Sequence, residues 1–551
     1  MRKWKRVLSA ALAAIMTVSL AACGGSQGTG STTGSNEGAG TSTAAGAKSI
    51  TIAASSPEGG LDPAGVALDF WVTYSKLCIS PLISFDEAGN IIYEAAESYS
   101  VSDDGLVWTF KLRADGKWSD GSAVTPADFI NTIKRSLDPQ SSSSIYAENL
   151  YVIEGAEAAH KGEGSLDDVK AVAVDDTTLE ITLKEPCPYF EKLLALPVFA
   201  PSKDGIAVAG DEEWWKNPGT SLGNGAFCLT EFVQDQYYVV TKNPEFFNAD
   251  EVKLDSITVK FIDDTQALIS AYKTGEVDVA SGLPDYILQQ YEGKDDLFIW
   301  NMLTTKFILP NLSVKPLDDV RVRKAIALAL NRTEICAAIG EDYIPSTSFV
   351  AEYMLSNNGS EYFSKETEPL ITENIEEAQA LLAEAGYPGG AGFPVLTYNY
   401  PSTDKDSLLA QAIQAQLKQN LGIEIQLNAM ENQVCVSERR AGNFEMTRHS
   451  WTADFNDPIN YLSLWTSDSS MNDSGIVNAE YDELIAKSNA ATDPAERNQY
   501  LHEAEKILVE ENAYVIPVNT QIYVGLRNPK IIGVTLNDKG ESMYRYADLA
   551  E

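Results

Sequence analysis

The chain of 551 residues has only three histidines, His160, His449 and His502, and they lie far apart. No H-E-x-x-H zinc helix can be written, and G-x-S-x-G, a Walker loop and G-x-G-x-x-G are missing too. The Asp115-Gly116 and Asp120-Gly121 pairs fail EF-hand spacing, because Lys117 holds the third loop position. Cysteine is also scarce. After Cys23 come Cys78, Cys187, Cys228, Cys336 and Cys435, an odd set with no C-x-x-C spacing, so neither a zinc site nor a redox motif is indicated. Buried free thiols are the plain expectation for these five, with room for one disulfide. Positive charge is short as well, with 41 Lys and Arg against 79 Asp and Glu and a net charge of −38. That balance excludes nucleic acid and anionic lipid as binding surfaces and suits a solvated, exported body. No cofactor and no metal are predicted. Paired carboxylates need only spatial proximity, so an exported hydrolase stays as the one catalytic reading, without a motif to support it.

Long hydrophobic runs are absent after the amino terminus. Arg2, Lys3, Lys5 and Arg6 precede an apolar run from Val7 to Leu20, too short to span a bilayer comfortably and flanked like a secretory leader. It ends in Leu20-Ala21-Ala22-Cys23, which resembles a bacterial lipobox: small residues for the peptidase, then a thiol for diacylglyceryl attachment. An ordinary leader with an incidental cysteine is the alternative. Residues 24–47 are almost wholly Gly, Ser, Thr and Ala, the composition of a flexible tether. The mature chain is expected to begin at Cys23, with 529 residues, a charge of −42 once the four leader cations are gone, and roughly three domains.

The body alternates strand and helix patterns, which predicts an α/β chain of several lobes. Strands are expected at 48–54, 107–113, 178–184, 257–262 and 422–427. Thr125-Pro126-Ala127-Asp128 opens a helix running to about Leu137, and Asp263-Asp264 opens one ending at Gly275. Further helices are expected over 320–330, from the Asn374-x-x-Glu377 box to Gly386, and over 406–420.

One stretch stands out. Arg448-His449-Ser450-Trp451-Thr452-Ala453-Asp454-Phe455-Asn456-Asp457-Pro458 packs an arginine, a tryptophan and two carboxylates into eleven residues before a proline. Those residue types suit the floor of a cleft for a short zwitterionic ligand. Arg448 has the planar fork for a carboxylate, or for a structural salt bridge. Trp451 is either a pocket wall or core. Asp454 is either an ammonium partner or a turn cap. Ser450 and Thr452, on an extended segment, offer backbone groups.

Several motifs together resemble family 5 of the extracytoplasmic solute-binding proteins, the oligopeptide- and dipeptide-binding components of ABC importers. They are Leu61-Asp62-Pro63 followed by Pro81-Leu82, Leu112-Arg113-Ala114-Asp115-Gly116-Lys117-Trp118-Ser119-Asp120-Gly121, and Val124-Thr125-Pro126-Ala127-Asp128-Phe129. Glu185-Pro186-Cys187-Pro188-Tyr189-Phe190, Gly223-Asn224-Gly225-Ala226-Phe227 and Asp319-Val320-Arg321-Val322-Arg323-Lys324-Ala325 follow in order, and Trp451-Thr452-Ala453-Asp454-Phe455-Asn456-Asp457-Pro458 matches the family's W-x-A-D-Y-x-D-P with Phe455 for the tyrosine.

The resemblance implies a two-lobed, periplasmic-binding-protein-like fold of type II (a Venus flytrap) with an extra inserted domain. On this chain it places the leader at 1–22, the tether at 23–47, and a discontinuous lobe one at 48–79, 204–303 and 521–551. The inserted domain falls at 80–203 and lobe two at 304–520, with hinge crossings near 300–306 and 516–523. It implies a lipid-anchored, non-enzymatic, monomeric receptor on the outer face of a Gram-positive cell membrane. Such a receptor hands short peptides to an ABC permease and its ATPase. It assigns the ligand ammonium to Asp454 and the ligand carboxylate to Arg448. Tyr146 becomes a cleft residue from the inserted domain, and Asn224-Gly225 a point of close backbone approach to the ligand. Three positions depart from relatives: Ala67 replaces an acid, Asn432 a pocket tryptophan, and Asp406 a histidine that helps to read the far carboxylate. An acid at 406 repels a carboxylate unless it is protonated or turned away, which leaves signalling or cell-wall peptides, metal chelates and sugars open as cargo.

Overall fold

The computed structural model describes residues 46–56, 62–64, 68–140, 146–203, 214–340, 342–357 and 361–550, with the side chains of 68–72 excepted. Cys23, most of the tether, Leu61 and Ala67 lie outside the described residues. The largest sheet runs in the order Ile425–Met430, Leu396–Pro401, Met446–Thr452, Leu297–Pro310, Ile516–Arg527, Val279–Ser281, Ser49–Ala54, Ser256–Phe261, Tyr237–Lys242, Phe227–Val233. Tyr343–Pro345 joins from the side of Ile516–Arg527. Two long antiparallel strands, Leu297–Pro310 and Ile516–Arg527, link its halves, and their ladder is irregular between Asn301 and Thr305. A separate four-stranded sheet is built from Ala96–Val101, Val107–Leu112, Thr178–Thr182 and Ala171–Asp175.

Local chemistry accounts for most of these elements. The burial of Val107–Leu112 alternates strictly, with Trp108, Phe110 and Leu112 inward, as a sheet with one wet face demands. Thr125 and Asp128 form a capping box at the head of Pro126–Leu137. Asp264 caps Thr265–Thr274, and Gly275 ends it at φ 75°. Three expected boundaries move. The helix Asp404–Leu421 starts early because Thr403, not Asp406, is its cap. The next strand starts at Ile425 because Gly422 is spent as that helix's left-handed C-cap at φ 69°. The helix Val320–Leu328 stops short because Asn331 already caps the following one. All five body cysteines are free thiols, and four of them are buried. Among the described residues no helix is long and apolar enough to cross a membrane.

One core group makes stability sensitive to pH. Glu505 on Pro494–Lys506 is buried and accepts hydrogen bonds from Ser348 Oγ and Val350 N, each at 2.7 Å. Burial pushes its carboxyl from 4.5 up to about 7, against the pull of those donors. A folded-state pKa above the unfolded one gives stability that is complete below the unfolded value and lost as pH rises through the folded value. Urea midpoints are therefore expected to fall from pH 5 to pH 8. Glu505→Gln should remove roughly 2–3 kcal/mol of that fall, and a pH profile unchanged by the substitution would contradict this account.

Candidate ligand-binding site

The strand Met446–Thr452 carries the distinctive stretch. It pairs antiparallel with Leu297–Pro310 along its whole length, from Met446↔Pro310 to Thr452↔Thr304. On its other edge the strand Leu396–Pro401 covers only Met446 and Thr447. From Arg448 to Thr452, therefore, no strand among the described residues pairs that edge; locally Ser450 N donates to His449 Nδ1 at 2.7 Å and Arg448 O accepts from Thr447 Oγ1 at 3.3 Å. Trp451 is half-buried, its Nε1 donating to Asn460 Oδ1 at 3.0 Å, and its carbonyl accepts from Tyr461 Oη at 3.1 Å. The Thr452 and Thr304 hydroxyls meet at 2.8 Å.

The two carboxylates of the stretch separate cleanly. Asp457 is buried, accepts from Ile459 N at 2.9 Å at the head of the short helix Ile459–Leu462, and takes both ends of the Arg497 fork at 2.8 Å. That is a capping and bracing role. Asp454 is half-buried, and its amide donates to Asn460 Oδ1 at 3.1 Å. Lys539 Nζ reaches its carbonyl at 3.4 Å, and the Asp454 charge is one of those that hold the Lys539 ammonium protonated. Beside it, Phe455 stacks on Tyr189 at 5.8 Å and an interplanar angle of 2°.

The other end of the strand is organised by charge. Arg448 grips Asp406 with Nε to Oδ1 at 2.8 Å and Nη2 to Oδ2 at 2.6 Å, while its Nη1 donates to Ser450 Oγ at 3.1 Å. Lys306, opposite Ser450 in the ladder, puts Nζ 3.6 Å from Asp406 Oδ1 and 3.3 Å from Tyr343 Oη. Burial raises the Asp406 carboxyl, but Arg448 and Lys306 outweigh that and hold it below its ordinary value. Burial pulls Lys306 down to about 8, with Asp406 opposing and Arg448 adding to the fall. Asp342 also acts on Lys306 and is itself paired with Lys405 at 3.5 Å, so the wider cluster is close to balanced. The acid at 406 is thus neutralised rather than repulsive, and the Arg448 fork is already engaged. His449 is held neutral by burial and by Arg439 and Arg448.

Three further residues stand elsewhere. Asn224 exchanges both ends of its amide with the Ser80 backbone, at 2.8 and 2.9 Å. Gly225 N donates to Cys78 O, and a Cβ there would stand 2.6 Å from the Cys78 carbonyl carbon. The close approach at Gly225 is thus to Cys78 and Ile79. Tyr146 is buried in the core that holds the four-stranded sheet. Asn432 opens the helix Asn432–Arg440. Among the described residues no group of His, Cys, Asp and Glu could hold a metal ion.

The profile of the "Bacterial extracellular solute-binding proteins, family 5 Middle" matches residues 90–473. The chain belongs to this family. It is 32% identical to the dipeptide-binding protein DppE of Bacillus subtilis over 455 residues, covering 82% of this chain and 83% of that one. It is also 32% identical to the periplasmic oligopeptide-binding protein OppA of Escherichia coli over 473 residues, with 84% and 85% covered. Among solved structures, the murein tripeptide binding protein MppA of Escherichia coli superposes with a TM-score of 0.76 at 27% identity, over 92% of this chain and 99% of that one. The fold is accordingly the two-lobed, type II solute-binding architecture with an extra domain.

Sequence reasoning missed Lys306 and Lys539. Lys306 had a signal, a single cation followed by Phe307-Ile308-Leu309 in a strand. Lys539, within Asn537-Asp538-Lys539-Gly540-Glu541, reads as an ordinary polar turn.

Proposed function

We propose that this chain is a lipid-anchored extracytoplasmic receptor, not an enzyme, that captures short peptides between its lobes and passes them to an ABC permease. The observation that carries the reading is the open backbone edge from Arg448 to Thr452. It offers main-chain groups to any extended peptide regardless of side chains, each hydrogen bond contributing roughly 0.5–1.5 kcal/mol. Asp454 at one end takes the ammonium. At the other end Lys306, beside the Arg448–Asp406 pair, faces the carboxylate. The relatives' printed names, dipeptide- and oligopeptide-binding, support the same cargo. The lipid anchor at Cys23, the domain limits at 80–203 and 304–520, a Gram-positive source and a monomeric state belong to this proposal. Mass spectrometry of ligand released from the purified protein is the direct test. Intact short peptides are expected, whereas a sugar, a metal chelate or cleaved products would overturn the reading.

The carboxylate end makes its own prediction. Lys306 faces Asp406, Arg448, Asp342 and Tyr343, and it loses its proton near pH 8. Affinity for a peptide with a free carboxylate is expected to drop between pH 7 and pH 9 more steeply than for its C-terminal amide. The free α-amino group titrates in the same range, but it is common to both ligands and cancels. Parallel pH profiles would remove Lys306 from carboxylate recognition.

A further inference from the structure

The amine end of the cleft already holds an amine of the protein's own. Lys539 sits at the tip of a hairpin with two rungs, Thr535↔Met543 and Leu536↔Ser542. Asn537 Oδ1 organises the tip by accepting from Lys539 N at 3.1 Å and Glu541 N at 2.9 Å, with Gly540 at φ 75°. From there Lys539 Nζ lies 3.4 Å from the Asp454 carbonyl and 3.7 Å from Glu541 Oε1. Lys76 meets Glu541 at 3.0 Å, and Lys192 meets Asp538 at 3.4 Å. The cluster therefore counts three carboxylates, Asp454, Asp538 and Glu541, against three ammonium groups, Lys76, Lys192 and Lys539. It is balanced before any ligand arrives. Adding a fourth ammonium in so enclosed a place leaves a positive charge without a counter-ion, which is strongly unfavourable.

A ligand ammonium must then replace one of the three rather than join them. Lys76 issues from the helix Leu68–Cys78 and is tied to Glu541. Lys192 lies 3.7 Å over the Phe85 ring as well as against Asp538. Lys539 rides on the shortest element and is the one whose ammonium reaches Asp454. We propose that Lys539 is a tethered stand-in for the ligand's amino terminus, displaced from beside Asp454 when a free ammonium enters. Burial opposes its charge, but Glu541, Asp538 and Asp454 more than compensate, so the displaced group is a true ammonium. The consequence is a specificity setting. Exchanging one ammonium for another recovers little energy, so the wild-type protein discriminates only moderately between free and blocked amino termini and accepts both.

The inference rests on the peptide reading, and the test separates the two. Calorimetry with trialanine to pentaalanine, each free and N-acetylated, measures the preference for a free amine. That preference is expected to be roughly tenfold in the unchanged protein and to rise by a further factor of about ten in Lys539→Met, which removes the competitor. Lys539→Arg, which keeps the charge, should stay near the unchanged value. Peptide binding with equal preference in the unchanged protein and Lys539→Met would overturn the stand-in role alone. No binding of any peptide by any of these proteins would overturn the peptide reading, and this inference with it. A measurement without substitution guards against a misfolded variant. Acylation of Lys539 by an amine-reactive ester, followed by mass spectrometry, should increase with a peptide whose amino terminus is N,N-dimethylated, which keeps its charge and cannot be acylated, and not with the N-acetylated one. Equal labelling with both contradicts displacement.

Discussion

Replacing Asp457 by alanine is expected to lower the unfolding free energy by about 3–5 kcal/mol, read as a fall in the urea midpoint at unchanged slope. The cause is the state in which it leaves Arg497. The two side chains are 3% and 5% exposed, the guanidinium donates twice to the carboxylate at 2.8 Å, and it lies 5.6 Å over the Tyr189 ring. Burial opposes the arginine's charge, and the Asp457 carboxylate outweighs it. With the acid gone, a cation is buried with its Coulomb partner removed and the Asn357 amide as its neighbour. The cap on Ile459 N is lost as well. The double change Asp457→Ala with Arg497→Met should recover much of the loss, because it removes the uncompensated charge rather than the pair. A loss under about 1 kcal/mol for the single change would mean that water reaches the site and screens it.

This pair shows how far the sequence was readable. Strand and helix positions followed from periodicity and caps, since those depend on neighbours a few residues apart. The stretch Arg448–Pro458 was legible as a candidate site because an arginine, a tryptophan and two acids fell together. Which of the two acids does what was not legible. Asp457 is committed by Arg497, forty residues further on, and Asp454 by a hairpin tip that is further still. Arg448 is the same case: its partner Asp406 is 42 residues earlier and reaches it only because the strands Leu396–Pro401 and Met446–Thr452 are adjacent. Asn224 and Gly225 show the converse. Their motif pointed to a close backbone approach to the ligand, and the close approach in the fold is to the backbone of Ser80 and Cys78. Charge pairing across long loops is fixed by topology, and no local pattern encodes it.

The division of labour between the two acids sets up the second large effect. Asp454→Ala should abolish the preference for a free amino terminus, weakening free peptides while leaving N-acetylated ones nearly unchanged. Removing one member of a desolvated charge pair typically costs about 2–5 kcal/mol. A smaller loss is expected here, about 1.4 kcal/mol or the whole of the roughly tenfold preference, because Lys539 shares the site and the free ligand must displace it. Asp457→Ala supplies the control. By loosening the turn at Asp457–Pro458 it should weaken free and blocked peptides alike, since what it disturbs is position rather than charge. The two substitutions lie three residues apart in one stretch and predict opposite patterns in one calorimetric assay. If Asp454→Ala weakened both ligand forms equally, Asp454 would join Asp457 as a brace. Amine selection would then pass to Asp538 and Glu541, whose side chains are 10% and 24% exposed on the hairpin that meets Asp454.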